Sequence, residues 1–262
     1  MSNENYQSEM HPGAASFTAH LHKHGSSTLF LVGIILFTAG NALTSIIAFS
    51  FLSIFQMALL ALPIIGFWLI YAASKTPSEP EKTLPALTLF RVHTIISLVL
   101  LCIVAGLFAL VALILSVALG AEFGGGAAVG ALVLFLIVAG IIALFIVFYF
   151  VAILKIIKDI RRNIIENVFK PIRGVTSFTV FTYIMIGFGL LGTIIGFVAL
   201  GIATSFIDEL IWYAPELMIL EPVLYGAMAV NAISVLFSLA SSIGVVICVV
   251  VLNKFVSGMP RA

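Results

Sequence analysis

Residues 27–74, STLFLVGIILFTAGNALTSIIAFSFLSIFQMALLALPIIGFWLIYAAS, decide the fold of this chain, because they contain no charged side chain. As one α-helix this stretch would be about 70 Å long, more than twice the core of a bilayer, which is about 30 Å thick. We therefore expect it to fold back, with spans at 28–49 and 54–73 and a tight turn at 50–53. The alternative is a re-entrant segment in place of two full spans, because the predicted turn contains no Gly, Pro or charged residue that would mark it.

The composition of the whole chain indicates the same lipid environment. The 262 residues are 62% hydrophobic and 9% charged, and the mean hydropathy is +1.27. A soluble domain has about 45–50% apolar and about 25% charged residues. In lipid, backbone polar groups need partners within the protein, and the sequence shows no alternating strand pattern, so the spans are predicted to be helices.

Four more apolar runs follow the first stretch, and they predict spans at 91–119, 128–154, 176–206 and 222–252. The predicted fold class is therefore all-α, a polytopic membrane protein with six transmembrane helices arranged as three hairpins. They form a single domain over residues 26–254. The polar residues 1–25 are predicted to be a disordered tail, and residues 255–262 a short C-terminal tail.

The distribution of charges sorts the loops into two sets. The loops between the first and second spans, the third and fourth, and the fifth and sixth contain no Lys or Arg, but they carry Glu122, Asp208, Glu209, Glu216 and Glu221. The 12 basic residues all lie in the tails and the other two loops. The positive-inside rule then predicts a protein of the plasma membrane with both termini in the cytoplasm.

The spans carry almost no titratable groups, and this argues against an enzyme. Arg91 and His93 lie at the mouth of the third span, where interfacial anchoring is favoured over a gate. The sequence contains no H-E-x-x-H metalloprotease motif, no P-loop and no G-x-S-x-G motif. We predict no catalytic residue and no cofactor.

A histidine cluster precedes the first span. His20, His22 and His24 are residues of a kind that binds divalent metals, but they lie beside Gly25 with no cysteine nearby. The preferred interpretation is a polar juxtamembrane flank, and no metal site is predicted. Cys102 and Cys248 lie in apolar runs and are predicted to be packing residues.

Small and polar residues repeat along one face of several spans. Such faces serve either helix packing, including a homo-oligomer seam, or a narrow path for a neutral solute. Packing is the preferred interpretation. The residues are Thr38, Asn41, Ser45, Gly192, Gly196, Asn231, Ser234, Ser238 and Ser241.

A basic amphipathic helix is predicted over residues 155–170, continuing the fourth span. Its isoleucines share one face, and i,i+4 ion pairs support the helix. We expect the basic residues of this region to contact anionic headgroups or a protein partner. They are Lys155, Lys158, Arg161, Arg162, Lys170 and Arg173.

Together these features predict a non-catalytic multi-pass membrane protein that acts as a scaffold, through helix packing and through contact with lipid or a partner. The expected partners are membrane lipids, a second copy of the chain or another membrane protein. A net charge of +1 gives no reason to expect a nucleic acid. The alternative is a small channel or facilitator for neutral solutes.

Overall fold

The computed structural model describes residues 12–47, 51–76, 79–123, 125–166, 168–213 and 221–259. These residues form helices and contain no strand. A short 3₁₀ helix spans Pro80–Thr83. The α-helices are α1 (Pro12–Gly25), α2 (Thr28–Ile47), α3 (Phe51–Ser74), α4 (Leu84–Phe123), α5 (Gly125–Ile165), α6 (Val175–Tyr213) and α7 (Glu221–Ser257).

Helices α2 to α7 are each long and apolar enough to cross a membrane. The structure therefore confirms the all-helical class and indicates a membrane protein with six candidate spans. The helices α4 to α7 contain 37–41 residues, or about 55–62 Å, and continue beyond the predicted spans. Hydropathy marks the part of a helix that suits the bilayer, whereas hydrogen bonding sets its ends. The predicted turn at 50–53 falls partly outside the described residues, and α3 begins at Phe51.

The six long helices form a closed ring. Each helix contacts the next one in chain order. The first and last of them, α2 and α7, also contact each other, and this contact is more extensive than that of any consecutive pair. At the α2–α7 crossing, a Cβ atom on Gly40 would lie 2.6 Å from the carbonyl oxygen of Phe237. A Cβ atom on Gly244 would lie 2.5 Å from the Phe37 backbone nitrogen, and one on Gly33 would lie 3.2 Å from the Gly244 carbonyl oxygen. These glycines let the two backbones touch and close the ring.

Helix α1 occupies part of the segment that the sequence predicts to be disordered. Phe17 is 3% exposed and packs with α5 and α7 residues in an apolar cluster. The Nε2 atom of His20 lies 2.7 Å from the carbonyl oxygen of Phe255 in α7. The prediction of a disordered tail is therefore wrong for residues 12–25, because an apolar face of this helix docks on the bundle. Residues 1–11 lie outside the described residues.

The basic segment is shorter as a helix than predicted. Helix α5 ends at Ile165, and residues 168–173 have no regular structure. Gly174 then adopts a φ of +88°, a left-handed conformation that favours glycine, before α6 begins. The prediction of a helix to residue 170 is wrong because side chains of α5 bond the backbone of this turn, as described below.

Candidate functional site

The basic residues of the α5–α6 connection form an exposed surface, which we call the basic turn. Five of its side chains are exposed, and that of Arg162 is 35% exposed. Lys170 pairs with Glu166 at 3.3 Å, but both side chains are about half exposed, so the pair contributes little to stability. The basic turn consists of Lys155, Lys158, Arg161, Arg162, Lys170 and Arg173.

Two buried polar side chains hold the basic turn in place. Asn163 is 1% exposed. Its Nδ2 donates to the carbonyl oxygen of Lys170 at 2.7 Å, and its Oδ1 accepts from the Lys170 backbone N–H at 3.2 Å. Asp159 accepts from the backbone N–H of Arg173 at 3.0 Å. Because buried polar groups need such partners, these bonds hold the backbone of the turn at Lys170 and Arg173.

A cavity of about 430 Å³ lies inside the ring of helices, near the same end of the bundle as the basic turn. All six long helices line it, and Leu21 and His24 of α1 also form part of its wall. Most of the wall is apolar, with aromatic side chains such as Phe67 and Phe90, whose ring centroids are 4.8 Å apart. The size falls within the range of about 300–1,000 Å³ that is usual for ligand pockets.

Most polar side chains in the cavity wall bond within the protein. Thr83 donates to the carbonyl oxygen of Pro80 at 2.6 Å, and Thr94 to that of Phe90 at 2.7 Å. The Tyr149 hydroxyl bonds to Thr182. The cavity therefore offers few polar groups to a ligand.

His93 also lines the cavity, and it is linked to the proline of α3. Its Nδ1 lies 3.1 Å from the carbonyl oxygen of Leu59. That carbonyl would normally accept from the N–H of residue 63, four positions later, but Pro63 has no N–H. The imidazole thus supplies the donor that the proline removes, and His93 is more than an interfacial anchor.

The three histidines of α1 contact two different helices, α7 and α3. The rings of His20 and His24 have centroids 4.6 Å apart beside Phe255, whereas Nδ1 of His22 bonds the carbonyl oxygen of Ser74. Burial, and then the nearby His20, Lys23 and Lys254, lower the pKa of His24. Among the described residues, no three His, Cys, Asp or Glu side chains come together as metal ligands.

The polar faces of α2 and α7 that the sequence predicts meet where these two helices cross. Nδ2 of Asn41 donates to Oγ of Ser241 at 2.7 Å, across the α2–α7 crossing. The Thr38 hydroxyl accepts from the Trp68 indole N–H at 3.2 Å. The other polar residues of these stripes are half-buried on the same helices; they are Ser45, Asn231, Ser234 and Ser238.

The predicted glycine seam of α6 contacts no other helix among the residues that the structure describes. A Cβ atom on Gly192 or Gly196 would meet nothing within 4 Å. The close glycine contact is formed by Gly33, Gly40 and Gly244 on α2 and α7. Spacing alone did not distinguish these glycines from the exposed ones.

No protein-family model, curated protein or solved structure matches this chain at a significant level.

Proposed function

We propose that this chain is a non-catalytic multi-pass membrane protein that works by holding the basic turn against anionic lipid headgroups. The observation that carries the proposal is a cluster of six basic residues, five of them exposed, on a turn whose backbone Asn163 and Asp159 hold at Lys170 and Arg173. Each basic residue near an anionic surface contributes about 1 kcal/mol of attraction. A surface that is already ordered loses less conformational entropy on contact than a flexible tail would.

The proposed orientation places the basic turn and both termini in the cytoplasm, with the six helices as three hairpins in the plasma membrane. The charge distribution supports it, because the loops of the other set carry no Lys or Arg. Docking of α1 on the ends of α5 and α7 also brings the first and last described segments to the same end of the bundle as the basic turn.

The orientation can be tested by cysteine labelling in intact cells, in a background without Cys102 and Cys248. We expect Glu122→Cys and Glu216→Cys to react with an impermeant maleimide, because both lie in predicted outer loops. Lys158→Cys and Ser257→Cys, both exposed, should react only after the membrane is permeabilised. Labelling of Lys158→Cys in intact cells would contradict the orientation, and unequal results for Glu122 and Glu216 would contradict the six-span arrangement.

The headgroup contact can be tested by thermal unfolding in lipid nanodiscs. Phosphatidylglycerol should raise the unfolding temperature relative to phosphatidylcholine, and salt should reduce the increase. The triple variant Lys155→Gln, Lys158→Gln and Arg161→Gln should lose about 3 kcal/mol of this lipid-dependent stabilisation.

The matched control keeps the charge at the same positions, as Lys155→Arg, Lys158→Arg and Arg161→Lys, and should behave like the unmodified chain. Equal stabilisation of the Gln triple variant by phosphatidylglycerol would refute the headgroup proposal. In that case the alternative is that the basic turn binds a membrane protein, which crosslinking at Lys158 should recover.

The observed bonds support helix packing over a path for neutral solutes. Asn41 and Ser241 bond to each other, at a crossing where Gly40 and Gly244 bring the two backbones into contact. A solute path along these stripes would need the two helices to separate there. Solute-dependent flux into proteoliposomes that Asn231→Leu abolishes would favour the channel alternative instead.

A further inference from the structure

The cavity, which the headgroup proposal does not use, has the size and lining of a binding site for an apolar molecule. Its wall of aliphatic and aromatic side chains gains dispersion contacts from an apolar occupant. A polar solute would exchange its water for a wall with few hydrogen-bonding groups, at a free-energy cost. The lining therefore selects an uncharged, mainly apolar ligand.

The hydrogen bond of His93 fixes which ring nitrogen can bind such a ligand. The Leu59 carbonyl oxygen can only accept, so Nδ1 carries the hydrogen of that bond. In the neutral imidazole, Nε2 is then an acceptor with a lone pair. Because His93 lines the cavity, Nε2 is the ring nitrogen that remains for a hydrogen bond with a ligand there, and it can only accept.

We propose that the cavity binds a lipid with an apolar chain or ring system and one hydroxyl group, whose O–H donates to Nε2 of His93. The apolar part fills the space between the aromatic side chains of α3, α4 and α5, including Phe67, Phe90 and Tyr149. The hydrogen bond makes the site prefer a ligand with a hydroxyl group over an equally apolar ligand without one, which burial of apolar surface alone would not do.

The proposal can be tested by photo-crosslinking to the full chain in phosphatidylcholine nanodiscs. The probe is a long-chain alcohol that carries a diazirine, and the competitors are hexadecanol and hexadecyl methyl ether. The two competitors have nearly the same apolar chain, but only the alcohol can donate a hydrogen bond. We expect crosslinked peptides from the cavity wall, and competition by the alcohol about three- to ten-fold stronger than by the ether.

Two variants assign the preference to His93. His93→Phe should remove the difference between alcohol and ether, because the ring has no acceptor. His93→Gln should keep it, since the amide N–H can bond Leu59 and the amide oxygen can accept from the ligand. The measured quantity is the ratio of competition by alcohol to competition by ether within each variant, so it can be compared with the unmodified chain even when a variant is less stable.

Equal competition by alcohol and ether in the unmodified chain would overturn the role of Nε2. Crosslinks confined to peptides outside the cavity wall would overturn the site itself. The basic turn is unchanged in these experiments, so neither result depends on the headgroup proposal.

Discussion

Replacing Gly40 with alanine is expected to destabilise the bundle by about 1–3 kcal/mol, although it adds only one methyl group. The added Cβ atom would lie 2.6 Å from the Phe237 carbonyl oxygen and from the Ser241 backbone nitrogen. Backbone atoms of a helix cannot move aside as a side-chain tip can, so α2 and α7 must separate. Separation would also stretch the bond between Asn41 and Ser241, which is 2.7 Å long.

The same substitution elsewhere provides a matched control. A Cβ atom at Gly192 would meet nothing within 4 Å. Alanine favours a helix over glycine by about 0.5–1 kcal/mol, so Gly192→Ala should leave the stability unchanged or raise it. Both variants can be measured by unfolding in mixed micelles of increasing denaturing detergent, with the free energy extrapolated to the native condition.

The two results together also report on self-association. Equal effects at Gly40 and Gly192 would show that the α2–α7 contact is no closer than an ordinary lipid-facing position. A loss at Gly192 that grows weaker on dilution would mean that a second copy packs on α6. The predicted homo-oligomer seam would then be formed between copies.

This contrast shows what the sequence could specify. The six apolar runs predict the helices, because the length and hydropathy of a span are local properties. Which glycine face meets another helix depends on the rotation and crossing of each helix, and these arise from packing between distant segments. Gly192 and Gly196 have the expected spacing but contact no other helix in the described part of the chain, whereas Gly33, Gly40 and Gly244 form the contact between α2 and α7.

The candidate sites show the same division. The cations of the basic turn could be found from the sequence, because a charge cluster beside a span is a local feature. The docking of α1 depends on Phe17 meeting a cluster completed by residues such as Ile156 and Phe255, far along the chain. The cavity was not predictable either, since every long helix contributes to its wall. In the sequence, Pro63 inside an apolar run was the one sign that the carbonyl four residues earlier, that of Leu59, needs a donor from elsewhere.

A second large effect is expected when His93 is replaced with alanine. This variant removes the donor to the carbonyl of Leu59, a half-buried residue, and Pro63 cannot supply another. A polar group left without a partner in an apolar environment costs about 1–3 kcal/mol. Unfolding in mixed micelles should show the loss, and His93→Gln should recover part of it, because its amide retains an N–H.

A double-mutant cycle with Pro63→Ala separates this bond from the lost packing. Alanine restores the N–H of residue 63, which can then bond the Leu59 carbonyl within α3. We expect His93→Ala to cost about 0.6–1.7 kcal/mol less in the Pro63→Ala background, which are the mean and the maximum found for hydrogen bonds between membrane helices. The packing lost with the imidazole is the same in both backgrounds and cancels from the cycle.

The tautomer of His93 reports directly whether its bond to the Leu59 carbonyl holds the hydrogen on Nδ1. In the unmodified chain, ¹⁵N spectra should show hydrogen on Nδ1 and a lone pair on Nε2, because the Leu59 carbonyl can only accept. In Pro63→Ala the carbonyl is bonded within its own helix, so the imidazole is released and both tautomers should be populated. The preference of the cavity for alcohol over ether should then decrease although His93 is still present. An unchanged tautomer, or additive costs in the cycle, would show that the proline and the histidine act independently.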